Sequence, residues 1–416
     1  MTSGLTVWLE GAPVGRLFVH EGDWRFEYAV AWLDAADAYP ISPRLPLRRG
    51  IFADDGRRKT VRWFFDNLLP EGSVRQALVA HVNLAQEDSF AFLEHFGHET
   101  AGALMFLPLD QPVPEMGDYE PLSLADLRAL VLDLPRVPLL AGGGRARMSL
   151  AGVQHKLALH RVGDDWFLPR GAASSSIVKP ENARPSLFPF CPANEHFCMT
   201  LAGRLGLVVP PCELHRLPEP LFVVERFDRR LRGGRVERVH QIDLCQLLDL
   251  WAGAKYEADG GPGLEESYQA LDSTVQPAVS RHQWLRWLIF NYAIGNSDAH
   301  AKNISFLIDT RGIVLAPAYD LLSVSVYGAD YDYMAMLLMG EVRYGWVEPR
   351  HWDALARTFD LSPSFLRRLR HDIARAVVPL AQDLMKSPVY TKEERAFLLG
   401  IVKVVERHVG YLLADA

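Results

Sequence analysis

Gly295-Asn296-Ser297-Asp298-Ala299-His300-Ala301-Lys302-Asn303 is a polar stretch set between two apolar ones. Residues 284–294 before it are apolar on most helical faces, which predicts a helix buried at the centre of the C-terminal half. Residues 304–315 after it alternate and turn at 309–312, which predicts a hairpin. A loop held this way is a rigid platform, and Asp298 and Asn303 stand five positions apart on it. Just past the hairpin, Ala316-Pro317-Ala318-Tyr319-Asp320 brings a second carboxylate. Taken singly, Asp298 is a turn or helix-cap aspartate by ordinary loop chemistry. The order Asp, Asn, hairpin, Asp asks for a joint explanation.

Phosphoryl transfer supplies one. An aspartate takes the proton of the accepting hydroxyl, and an asparagine five positions on holds Mg²⁺, because both must reach one phosphate from one loop. A further carboxylate is needed where Mg²⁺ neutralises the β- and γ-phosphates. Asp298, Asn303 and Asp320 have these positions. Upstream, Lys179 ends a predicted strand in Ser176-Ile177-Val178-Lys179-Pro180, the setting in which kinases place the lysine for the α- and β-phosphates. Gly142-Gly143-Gly144 and the following Arg147-Met148-Ser149-Leu150-Ala151-Gly152-Val153-Gln154-His155-Lys156 offer backbone N–H groups to phosphate oxygens, although the Gly-Lys-Ser/Thr ending of a Walker loop is absent. By position in the same order, Glu195 is expected to orient Lys179, and Glu225-Arg226-Phe227 to form the adenine hinge.

Farther out, residues 5–33 alternate apolar and polar around Gly11-Ala12-Pro13 and Glu21-Gly22-Asp23, as short antiparallel strands do. Helical spacing takes over from residue 60 to 97, with stretches at 74–82 and 90–96, followed by a strand at 101–107 and a helix at 122–132. Strands are expected at 156–160, 166–168, 177–179 and 221–225, a helix at 194–206, and helices almost throughout beyond Arg226. The fold class is therefore α+β, with a β-rich N-terminal half and a mainly α-helical C-terminal half. Three segments are expected: a β-rich subdomain at 1–110, a nucleotide-binding part at 111–225, and a helical catalytic lobe at 226–416.

The 416 residues are 49% hydrophobic and 23% charged, enough apolar content for a substantial core. A net charge of −7 argues against a protein that coats nucleic acid through its overall field. Cys191, Cys198, Cys212 and Cys245 have neither zinc-site spacing nor the density of a disulfide scaffold, which fits a reducing cytoplasm. Nothing near Met1 resembles a signal peptide and no apolar run is long enough to span a bilayer, so a cytoplasmic location without membrane contact is expected.

At these residues the sequence resembles the HipA family through nearly its whole length. The ordered motifs are residues 149–156, Ile177-Val178-Lys179-Pro180, Asn194-Glu195, Glu225-Arg226-Phe227-Asp228-Arg229, Asp243-Leu244-Cys245-Gln246, residues 256–263, residues 298–303 and Tyr319-Asp320. Residues 64–72 and Gly102-Ala103-Leu104 resemble the family's N-terminal subdomain. Ser297, His155 and Ile242 depart from it, standing where glycine, proline and an acidic residue are usual.

The resemblance implies a bilobal kinase fold using ATP and Mg²⁺. Asp298 would be catalytic, Asn303 and Asp320 would hold the metal, and Lys179 would bind phosphate. Ala151, Gly152, Val153, Gln154, His155, Lys156, Glu225, Arg226, Phe227, His300, Ala301, Lys302, Asn303, Tyr319 and Asp320 would line the nucleotide. Ser149 would be an autophosphorylation site whose dianionic phosphate switches the kinase off. The implied substrate is a translation protein such as an aminoacyl-tRNA synthetase, and the implied partner a helix-turn-helix antitoxin of the HipB type, through which the complex meets operator DNA. Arg350 and Arg357, or the Arg367-Arg368-Arg370 cluster, are candidates for phosphate contacts there, although such a cluster is more often a solvated helix face. Two other readings stand beside the kinase reading: a small-molecule phosphotransferase with the same loop, and an inactive kinase acting as a co-repressor, which the intact Lys179, Asp298, Asn303 and Asp320 argue against.

Overall fold

The computed structural model describes residues 4–72, 74–76, 78, 84, 85, 88–109, 111, 117–134 and 155–414. The chain forms two compact units, one of Met1–Ala183, Val223–Ala252 and Phe306–Ile313, the other of Arg184–Phe222, Gly253–Ser305 and Val314–Ala416.

In the first unit an antiparallel sheet runs in the order Ile51–Ala53, Asp23–Tyr28, Ala12–His20, Gly4–Leu9, Leu104–Pro108. Its alternation is the one the sequence displays: Leu5, Val7 and Leu9 are buried while their neighbours are not. The Glu10-Gly11 and Glu21-Gly22 turns both take positive φ at two successive residues, the geometry that matches strand twist in a tight hairpin. On the buried face, Phe26 meets Phe65 at 5.7 Å and Phe65 meets Phe106 at 5.6 Å, so the Thr60–Asp66 helix is anchored by aromatic contact rather than by its short length. Gly15 is required beneath Phe26, because a Cβ there would lie 2.7 Å from the ring.

A second sheet in this unit orders Asp118–Leu122, Asp165–Arg170, Leu157–Val162 and Ser176–Lys179, with residues 223–225 of the next strand beside the last. The Asp118–Leu122 strand lies just before the expected helix, which itself begins later, at Leu124, where the Ser123 side chain caps it. Its Pro121 and charged residues hide it from a hydrophobic-pattern reading, and as an edge strand it can carry them.

The second unit is mainly helical. Pro277–Ile294 is the buried helix, with Trp284, Trp287, Phe290, Asn291 and Tyr292 all inside. Pro363–Leu384 and Lys392–Leu413 pack on it, and Tyr268 stacks on Phe359 at 4.1 Å beside Trp284. The expected helix at 194–206 runs instead as Cys191–Arg204, with proline in its first turn, so Glu195 sits in its second turn, where it is buried. Beyond Arg226 the chain is less uniformly helical than expected: hairpins form at Arg229–Arg232 with Arg235–Arg238 and at Tyr333–Leu338 with Glu341–Arg343. The first of these is mostly charged, and charge gives no apolar period to read. The expected stretch at 74–82 lies largely outside the described residues. Among the described residues no helix is long and apolar enough to cross a membrane.

Candidate active site

The buried helix ends at Gly295, which takes φ 64° and ψ 50°. A side chain there would meet the Ser325 hydroxyl at 2.5 Å and the His408 ring at 2.9 Å, so both backbone shape and space demand glycine. The chain then turns sharply. Asn296 donates from its amide side chain to Asn291 Oδ1 at 2.8 Å and accepts the Asp298 N–H at 3.1 Å, tying the loop back to the helix that precedes it.

Asp298 is positioned from several directions. Its carbonyl accepts the His300 N–H at 2.8 Å and the Asn303 side-chain Nδ2–H at 2.8 Å, which closes residues 298–303 into a ring of hydrogen bonds. Its carboxylate stays partly open, with the side chain 37% exposed, and Oδ1 lies 3.8 Å from His300 Nε2. The Tyr256 hydroxyl donates to the same Oδ1. His300, Ala301, Lys302 and Asn303 are all buried.

Asp320 takes φ 58°, a left-handed conformation that aspartate tolerates better than most side chains but that must be held by its surroundings. Both flanks are held. On one side the Tyr319 hydroxyl donates to the Lys302 carbonyl at 2.5 Å and lies 2.7 Å from Ser305 Oγ. On the other, Asn194, fully buried, donates to the Ser323 carbonyl at 2.8 Å and accepts the Ser323 N–H at 2.9 Å. The loop bearing Asn303 and the turn bearing Asp320 are therefore joined within this unit.

With its nitrogen committed to Asp298, Asn303 keeps its side-chain oxygen as a hard donor, and Asp320 supplies a carboxylate. Two such oxygens suit Mg²⁺, which keeps waters and phosphate oxygens as its remaining ligands. Among the described residues no group of three or more His, Cys, Asp and Glu could hold a metal by itself. The donor set fits a magnesium ion that arrives with phosphate.

The remaining expected site residues belong to the first unit. Lys179 is buried at the end of Ser176–Lys179. Lys156 and His155 are half-buried, and burial lowers the His155 imidazole below its ordinary value. Ser149, Ala151, Gly152, Val153 and Gln154 lie outside the described residues. Glu225 is exposed and Phe227 half-buried.

Arg226 is placed differently from a ligand-facing hinge residue. Its guanidinium is buried and donates to Glu99 Oε1 at 2.9 Å, to Asp228 at 2.9 and 2.6 Å, and to the Thr100 carbonyl at 2.8 Å. Glu99 also accepts from Arg229 at 2.7 Å, Arg238 at 2.8 Å and Ser174 at 2.7 Å. Burial raises the Glu99 carboxyl, but the three guanidiniums outweigh it and hold the group well below the usual carboxylate range. The network clamps residues 225–229 to the 99–102 segment and takes up the whole Arg226 guanidinium. Sequence reading passed over Glu99, Asp228, Asn194 and Tyr256 as functional residues. Asp228, Asn194 and Tyr256 stood within quoted motifs, but only contacts distant in sequence show what they bond. Arg350, Arg357, Arg367 and Arg368 are exposed, whereas Arg370 is buried with its guanidinium over the Trp352 ring, which removes it from the surface cluster.

The chain matches the family model of the HipA N-terminal domain over residues 5–107 and that of the HipA-like C-terminal domain over residues 148–381. The Sinorhizobium fredii protein Y4mE is 37% identical over 91% of this chain and 92% of its own. The serine/threonine-protein kinase toxin HipA of Shewanella oneidensis is 30% identical over 90% of this chain and 88% of its own. Among solved structures, the complex of HipA, HipB and operator DNA from the Shewanella oneidensis MR-1 toxin-antitoxin system matches with a TM-score of 0.84 and 26% identity, covering 99% of both chains.

Proposed function

The chain belongs to the HipA family, and from that premise we propose that it is a serine/threonine protein kinase using ATP and Mg²⁺, the toxin of a toxin-antitoxin pair. The observation that carries the reading is the closed 298–303 loop, which fixes one carboxylate and one carboxamide oxygen while a braced left-handed Asp320 adds the second carboxylate.

Asp298 accepts the proton of the attacking serine or threonine hydroxyl through its open carboxylate face. Asn303 and Asp320 would hold Mg²⁺, which when bound would neutralise charge on the transferring phosphates. Lys179 pairs with the α- and β-phosphates, residues 151–156 cover them, and the backbone of residues 225–227 borders the adenine. The buried ion cluster at Glu99 stiffens that hinge. His300, Ala301, Lys302 and Tyr319 shape the floor of the nucleotide site. Ser149 is the self-phosphorylation site, and a dianion beside ATP's own phosphates expels the nucleotide loop and switches the kinase off.

The relative solved with HipB and operator DNA supports a helix-turn-helix antitoxin as partner here, with DNA met through that complex. The resemblance supports a translation protein, an aminoacyl-tRNA synthetase, as substrate, and a cytoplasmic site of action. The test is a bacterial lysate incubated with purified protein, Mg²⁺ and γ-labelled ATP, followed by phosphopeptide mass spectrometry. Label on a synthetase serine or threonine, absent with Asp298→Asn, is the expected result. Label only on small metabolites would turn the assignment toward a small-molecule phosphotransferase. No label, with operator binding unchanged in the antitoxin complex of either form, would favour a co-repressor.

A further inference from the structure

Tyr256 opens the short turn Glu257–Asp259, and its main chain is tightly set: its carbonyl accepts the N–H of Asp259 at 3.0 Å and of Gly261 at 2.9 Å. Gly261 leaves no room for change, since a Cβ there would lie 2.4 Å from the Ala254 carbonyl oxygen. Next to it, the Glu257 carboxylate accepts the Leu337 N–H at 2.7 Å, fastening the turn to the Tyr333–Leu338 strand. On the other side, the Ala301 N–H donates to the Lys255 carbonyl at 3.1 Å, so the segment bearing Tyr256 is bonded to the Asp298 loop itself. The phenol ring stands edge-on to His300, with centroids 4.9 Å apart and planes at 83°. A tyrosine whose backbone and ring are both fixed then delivers its hydroxyl to one oxygen of Asp298.

That placement has a consequence for the base. A carboxylate that accepts a proton must keep one oxygen aimed at the substrate hydroxyl, and rotation about its last bond is otherwise soft. A donor on Oδ1 removes that freedom and leaves Oδ2 as the acceptor.

We propose that Tyr256 is the positioning residue of the phosphotransfer, its phenol holding Oδ1 of Asp298 so that Oδ2 faces the protein substrate's hydroxyl. This rests on the reading of Asp298 as the base. The hydroxyl acts through Asp298 and touches neither ATP nor metal. Its loss therefore slows the chemical step without weakening substrate binding.

The experiment compares wild type, Tyr256→Phe, 3-fluorotyrosine at position 256 and Asp298→Asn in steady-state phosphotransfer to a peptide substrate, with Mg²⁺-ATP affinity measured separately. The phenylalanine variant keeps the ring contact with His300. Its kcat is expected to fall about 10–100-fold, the scale of a misaimed catalytic group, with both KM values and ATP affinity unchanged. Fluorotyrosine, which restores the hydroxyl, should return kcat to within about threefold of wild type. Tyr256→Phe at the wild-type kcat beside an inactive Asp298→Asn would overturn the Tyr256 assignment and leave the base standing. So would a change confined to KM, or no recovery with fluorotyrosine. Wild-type kcat in Asp298→Asn, or no transfer by the wild type, would overturn the reading of Asp298 and the Tyr256 assignment with it.

Discussion

Glu99→Gln should destabilise the protein more than a typical surface or even core substitution. Glu99, 6% exposed, is the shared acceptor for Arg226, Arg229 and Arg238, and loss of its charge leaves Asp228 to Arg226 and Arg229 and deprives Arg238 of its ion pair in the cluster. Glutamine keeps the shape but turns an N–H₂ toward guanidiniums, which have only donors to offer. Breaking a buried ion network by removing one partner costs about 3–5 kcal/mol, because the remaining charge is already desolvated. At about 2–4 °C per kcal/mol for a domain of this size, the melting temperature should fall by roughly 6–20 °C. Differential scanning calorimetry at neutral pH measures it. The sign of the pH dependence follows from the depressed carboxyl. Its contribution is fully present above the unfolded value near 4.5 and is lost as pH falls through the lower folded value. The gap between wild type and variant should therefore hold constant from about pH 5.5 to 8 and narrow only in acid. A fall under about 2 °C, or a gap that closes between pH 5.5 and 7, would refute the reasoning.

Gly295→Ala should cost about 2–5 kcal/mol in urea unfolding, combining left-handed strain with overpacking against Ser325 and His408. Tyr319→Phe should change stability by only about 0.5–1.5 kcal/mol, but it frees the turn bearing Asp320 from the Lys302 carbonyl. A Mg²⁺ titration of phosphotransfer should accordingly show a raised half-saturation concentration with ATP in excess. Burial pushes the Cys212 thiol up to about 11, so iodoacetamide at pH 8 should alkylate it about 10²-fold more slowly than an unperturbed cysteine. Peptide mass spectrometry over time reads that rate directly.

What could be read in advance was whatever depends on local pattern. Leu5, Val7 and Leu9 alternate because one face of a strand is buried, and Trp284 to Ile294 are apolar on most faces because the helix is largely enclosed. Asp298, Asn303 and Asp320 could be proposed together because one chemistry constrains their types and order. Roles that depend on long-range contact were not legible. Glu99 looks like any surface glutamate until Arg226, 127 positions away, is folded against it. Tyr256 gives no sign of its contact with Asp298 until the fold brings its hydroxyl there across 42 positions. Arg370 read as part of a cluster with the exposed Arg367 and Arg368, yet it lies on the helix face of Leu366 and Ile373, which is buried. Strands such as Arg229–Arg232 escape for a related reason, since mostly charged residues carry no apolar alternation.

The most direct test of the central claim is mass spectrometry of the purified protein after incubation with Mg²⁺-ATP, with wild type set against Asp298→Asn. The expected result is phosphate on Ser149 in the wild type and none in the variant, with both proteins binding ATP equally. Phosphate on both proteins would contradict the role given to Asp298, and phosphate on neither would contradict the kinase itself.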